Sequence, residues 1–184
     1  YIHNMFTIKS SYVFSVLVQL ALLLFLAYNV NMKLPKKLEV LHESFRFEYY
    51  VSIIEFLGYL LIGYIFYKKQ PITAYRYGDW IITTTMLLLS LCYLFLYRLY
   101  KVEDKTEKLT NQYIFSEYNS PLQTILVSNF FMLLFGFLGE TKRIPYILGY
   151  IAGMICFIIT FTTISSNFVK DQKENEQAFT VFLI

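Results

Sequence analysis

Five residues of one stretch have types and spacing suited to proton chemistry. Arg76, Asp79, Thr83, Leu87 and Ser90 follow one another at steps of 3, 4, 4 and 3. On a helix that spacing puts them on a single face. Asp79 and Ser90 would then stand roughly 16 Å apart along the axis. The surrounding residues 75–97 form an apolar run of spanning length, with Thr83, Thr84 and Thr85 in its first half. A carboxylate at membrane depth costs about 2.5–3.5 kcal/mol or more, which marks it by default as functional. A carboxylate can take up and release a proton, whereas a hydroxyl near neutral pH only relays one along a hydrogen-bond chain. The same residues also suit a structural role. Arg76 and Asp79 could form an intramembrane ion pair, and the threonines could pack between helices.

A set of membrane helices must position this seam. The chain has 184 residues, 57% of them hydrophobic and 20% aromatic. Soluble domains average nearer 45–50% apolar, so the composition predicts an all-α, polytopic membrane bundle forming a single domain. Spans are expected at about 12–31, 48–67, 73–99, 121–138 and 145–168, with a sixth starting at 177–184. Each full span is long enough for a bilayer of roughly 30 Å. Pro35 breaks the first connector, Pro121 opens span four and Pro145 opens span five. Gln19, in span one, is expected to make an interhelical hydrogen bond. His42 is expected to be solvated in the first connector. Gly149 and Gly153 form a G-x-x-x-G pair that lets helices approach closely. Glu55 lies about two turns into span two. There it either reaches back to the interface or serves as a proton-relay carboxylate on the cytoplasmic side. Cys92 and Cys156 both fall inside spans and read as packing residues, with no metal site implied. The sequence opens on Tyr1 with no basic leader, so no signal peptide is expected and the true start is expected upstream.

Basic residues set the orientation. Connectors one, three and five carry Lys33, Lys36, Lys37, Arg46, Arg98, Lys101, Lys105, Lys108, Lys170 and Lys173. The opposite side carries only Lys9, Lys68, Lys69, Lys142 and Arg143. The positive-inside rule then places the odd-numbered connectors in the cytoplasm and the N-terminus outside. The net charge of +3 belongs to these loops and implies no nucleic-acid partner. No nucleophile–base pair, phosphate-binding glycine loop or metal-ligand cluster is recognisable, so an enzyme is not expected.

Arg76-Tyr77-Gly78-Asp79-Trp80-x-x-Thr83-Thr84 followed by a leucine run resembles the third helix of the microbial (type 1) rhodopsins. Met132 to Glu140 is similar to the fourth helix of their proteorhodopsin branch. The resemblance implies a seven-transmembrane fold holding all-trans retinal on a seventh-helix lysine. No lysine lies inside a span here, so that lysine is expected outside this sequence, along with the rest of helix six. By the same resemblance, Asp79 would be counterion and proton acceptor for the retinylidene Schiff base. Arg76 would be the extracellular gate, holding Asp79 ionised in the dark. Trp80, Thr83, Thr84, Leu87, Met132 and Gly136 would touch retinal, and Leu87 implies green absorption. Asp79, Thr83 and Ser90 spell the DTS motif, known chiefly from giant-virus rhodopsins regarded as proton pumps. Ser90 stands at the cytoplasmic donor position, where respiratory-type pumps carry a carboxylic acid. Thr85 stands where many members have proline, so a less kinked helix is expected.

These readings converge on a retinal-binding, light-driven outward proton pump. Because Ser90 cannot store a proton, slow reprotonation is expected, with water or Glu55 as the source. A light-gated cation channel or photosensor on the same fold competes with it, and so does a non-photoactive membrane scaffold. The expected partners are the lipid bilayer, retinal and protons. A homo-oligomer is left open.

Overall fold

The computed structural model describes residues 2–35, 38–68, 71–102 and 104–169. The expected start of a sixth span at 177–184 lies outside these residues, as do Lys36, Lys37, Lys69, Lys170 and Lys173. Every regular element among the described residues is a helix. Its helices are α1 (Ile2–Val30), α2 (Glu39–Tyr67), α3 (Thr73–Val102), the short α4 (Asn111–Glu117), α5 (Asn119–Glu140) and α6 (Tyr146–Ile164). A π-helical turn, Ser165–Val169, extends α6. Five helices are long and apolar enough to cross a membrane, namely α1, α2, α3, α5 and α6. The protein is therefore a multi-pass integral membrane protein with five candidate spans among the described residues. The large apolar side chains left exposed on its outer faces, such as Phe14, Phe25 and Ile147, suit a solvent of lipid tails.

Two stretches expected as loops are helical. α2 begins at Glu39 rather than near residue 48. After Pro35 no breaker interrupts residues 39–47, an i,i+3 Glu43–Arg46 ion pair supports the added turns, and Val40 and Ser44 are buried on one face. His42 is consequently not a solvated loop residue. Its Nε2 lies 2.8 Å from the Val30 carbonyl oxygen, so it caps the last turn of α1. The third connector also folds. Thr110 caps α4 by accepting from the Tyr113 backbone N–H, and Leu109 and Ile114 are buried. Both join a core of Leu88, Cys92, Tyr93, Phe95 and Leu96 from α3 with Ile125 and Phe168. Cys92 is wholly buried there as a free thiol.

Polar and small residues fix how the helices approach. Gln19 Nε2 donates to Glu55 Oε2 at 3.2 Å, joining α1 to α2 as its position implied. Gly149 meets the Gly139 Cα and the Phe135 carbonyl, which brings α5 and α6 into backbone contact. Gly63 offers a seat for the Tyr12 ring, whose hydroxyl donates to the Tyr59 carbonyl at 3.0 Å. α3 packs between α2 and α5, so its side chains meet a neighbour on either flank.

Candidate functional site

The seam lies on α3, between α2 and α5. Asp79 is half-buried and faces the bare backbone of Gly58 on α2, where an added Cβ would lie 3.6 Å from its carboxyl carbon. Its Oδ1 is buried without a hydrogen-bond partner among the described residues. Thr83 is buried and donates to the Asp79 carbonyl at 3.1 Å. Thr84 and Thr85 likewise donate to the carbonyls one turn back, at 2.6 Å each. These hydroxyls satisfy themselves locally, so they can line an apolar space without leaving a donor unpaired.

Arg76 does not pair with Asp79, although both sit on the same helix face. Its Nη2 donates to both carboxylate oxygens of Glu140, at 2.9 Å each, and the Thr73 hydroxyl donates to Glu140 at 3.1 Å. The guanidinium also lies 5.1 Å from the Trp80 ring centroid. The cause is directional. Helix side chains lean toward the N-terminus, and a long arginine follows that lean to the end of α3, where α5 ends in Glu140. Tyr77 packs edge-on against Trp80 and Phe137 beside this cluster.

At the other end of the seam Ser90 is buried and has a carboxylate neighbour. Its hydroxyl donates to Glu48 Oε1 at 3.0 Å. The Ser44 hydroxyl lies 2.6 Å from the Ser90 hydroxyl. Sequence reasoning missed Glu48, which it placed at the edge of a span. A signal was available: Ser44, Glu48, Ser52 and Glu55 follow steps of 4, 4 and 3, a polar stripe on one face of α2. Glu55 sits midway along α2, one turn from Gly58 on the Glu48 side of it, where it accepts from Gln19 and makes no hydrogen bond to Ser90 among the described residues.

A cavity of about 380 Å³ opens between α3, α5 and α6. Thr84, Leu87 and Met132 line it, with Asn129, Phe157 and Phe161. Glu48 and Ser90 reach its edge. Trp80, Thr83 and Gly136 are not on this wall. Gly136 instead receives the Tyr77 hydroxyl, which would lie 3.0 Å from an added Cβ. Asn129, which sequence reasoning also missed, is almost fully buried and donates to Thr84 at 3.0 Å and Thr85 at 3.3 Å. It ties α5 to α3 at the cavity floor. Asn129→Leu should lower stability by about 0.6–1.7 kcal/mol, the range for interhelical hydrogen bonds in bilayers. Denaturant unfolding in lipid micelles would measure it, and an unchanged midpoint would show the tie to be energetically idle.

No group of three or more histidine, cysteine, aspartate or glutamate side chains is placed to hold a metal among the described residues. Comparison with known proteins gives one family. The family model described as bacteriorhodopsin-like protein matches residues 6–183. No curated protein matches the chain. A half-buried carboxylate on a helix of spanning length, an apolar cavity on the same helix and a family match over nearly the whole length agree, and the chain belongs to the bacteriorhodopsin-like, or microbial rhodopsin, family.

Proposed function

We propose that this protein is a retinal-binding, light-driven proton pump that exports protons. The observation that carries the reading is Asp79, whose Oδ1 is buried beside Gly58 with no partner among the described residues. An unpaired buried carboxylate oxygen is costly unless a cation or donor meets it. The family typically binds retinal, and the residues here fit such a group. The cavity wall is almost wholly apolar, as a polyene requires, and its size falls in the usual range for small-molecule sites. Thr84, Leu87 and Met132 would hold the chain of retinal, and Asp79, which faces α2 rather than this wall, would be the counter-charge for its nitrogen. When bound, retinal supplies light absorption and a proton-bearing nitrogen.

The remaining work falls to this chain. Asp79 accepts a proton, and the Arg76–Glu140 pair stands between it and the end of α3. With the N-terminus outside, as the basic connectors favour, that end is extracellular and the proton leaves outward. A light-gated cation channel is the second reading, favoured by the placement of Glu55. Glu55 and Gln19 join α1 to α2 in mid-helix, and Ser52 Oγ and Gln19 Oε1 are buried with no partner among the described residues. Those groups could line a wet path.

One experiment separates the two. Full-length protein is expressed in cells with all-trans retinal, and external pH is followed under illumination, with and without a protonophore. Acidification abolished by the protonophore supports the pump. Photocurrents that reverse sign with voltage, without acidification, replace it with the channel.

A further inference from the structure

We infer that Glu48 on α2 is the proton-relay carboxylate of the Ser90 half of the seam, working through the Ser44–Ser90 hydroxyl pair. The inference rests on the pump reading and adds to it the residue that refills the site. Ser90 alone cannot carry a proton as charge, because a hydroxyl both takes and gives one in the same event. The structure pairs it with a group that can. Ser90 Oγ donates to Glu48 Oε1 at 3.0 Å, and Ser44 Oγ lies 2.6 Å from Ser90 Oγ. Ser44 and Ser90 are buried, which fixes both hydroxyls, and Glu48 is partly open. Glu48 and Ser90 both reach the cavity that Thr84 and Leu87 line. Glu55, further along α2 and one turn from Gly58, is held by Gln19 and makes no hydrogen bond to Ser90 among the described residues.

The transfer balances as follows. The Glu48 carboxylate takes a proton from a hydronium ion, whose O–H bond breaks to leave water as the Glu48 O–H bond forms. That bond breaks in turn as the proton passes to Ser90 Oγ, while the original Ser90 O–H bond breaks and its proton goes to the nitrogen that, in the pump reading, would have given its own proton to Asp79. Glu48 returns to the carboxylate, Ser90 to the neutral hydroxyl, and no electron is exchanged. Ser44, one turn nearer the start of α2, keeps the Ser90 hydroxyl aimed at Glu48.

Two measurements test this. The first uses protein without retinal in bilayers and records infrared difference spectra after an acid jump. A carboxyl C=O band should vanish in Glu48→Gln and shift in Ser90→Ala, which removes the hydrogen bond to Oε1. A Glu48 band indifferent to Ser90→Ala overturns the coupling. The second follows recovery after a flash in full-length, retinal-loaded protein. Glu48→Gln should slow recovery by about 100-fold, the scale of one positioned acid–base group. Glu48→Asp should restore most of the rate, and a small weak acid such as azide should restore it in Glu48→Gln, which repacking alone would not allow. Ser90→Ala, the milder variant, should slow recovery less. Unchanged recovery in Glu48→Gln, in a protein that still acidifies the medium, overturns the relay and leaves the pump intact. Wild-type protein that never acidifies the medium overturns both.

Discussion

Asp79→Asn should reduce light-driven acidification by about 100-fold or more while the protein still folds and takes up retinal. The substitution keeps the side-chain volume and removes the ability to hold a proton as a neutral acid. One positioned acid–base group is commonly worth about two to four orders of magnitude in rate. Asp79 suits that role because its surroundings leave it unsatisfied. Arg76 is engaged by Glu140, Gly58 supplies only bare backbone, and Oδ1 has no partner among the described residues. Removing the charge also removes the cost of burying it, so the variant should be no less stable than the parent. The measurement is external pH under illumination, normalised to bound chromophore. Acidification at the parental level would take Asp79 out of the path. Glu55, one turn from Gly58 on α2, would then be the next carboxylate to replace.

The pattern of apolar runs made most of the bundle legible. Five runs of spanning length gave five spanning helices, because backbone groups in lipid must bond within their own segment. Gln19 and the Gly149–Gly153 pair were legible for a related reason: polar and very small residues are rare inside spans, so each marks a contact. The early start of α2 was not. Charged residues in 39–47 suggested a loop, but helix ends carry charge readily, and nothing there stops a helix. The folded third connector escaped notice because Leu109 and Ile114 are isolated apolar residues, and only tertiary packing buries them.

At the site, the residues of one helix were easier to find than the partners they meet. The α3 seam follows from a local period. The Arg76–Glu140 and Ser90–Glu48 bonds join residues 64 and 42 positions apart, and they depend on how α5 and α2 are placed against α3. The helical spacing of the seam pointed to Asp79 as the partner of Arg76. The end of α5 supplied a second carboxylate within closer reach of the guanidinium.

Gly149→Leu should cost about 3 kcal/mol of stability, while Gly153→Ala should be close to neutral, although both glycines belong to one motif. The difference lies in what a side chain would meet. A Cβ at Gly149 would stand 2.8 Å from the Phe135 carbonyl oxygen and 3.1 Å from the Gly139 Cα, both of them backbone. Backbone cannot turn aside, so α5 and α6 must separate, and overpacking of this kind typically costs about 1–3 kcal/mol, with a leucine at the upper end. A Cβ at Gly153 would stand 3.5 Å from the Met132 carbonyl, an ordinary contact. There the lower flexibility of alanine returns up to about 1 kcal/mol of helix propensity. The site depends on this contact, because Met132 and Asn129 on α5 and Phe157 on α6 share the cavity wall. Separating the two helices should therefore also weaken chromophore uptake. Denaturant unfolding and retinal titration on the same samples would read both effects. A Gly149→Leu protein that unfolds at the parental midpoint would mean that the α5–α6 approach is not held by this glycine.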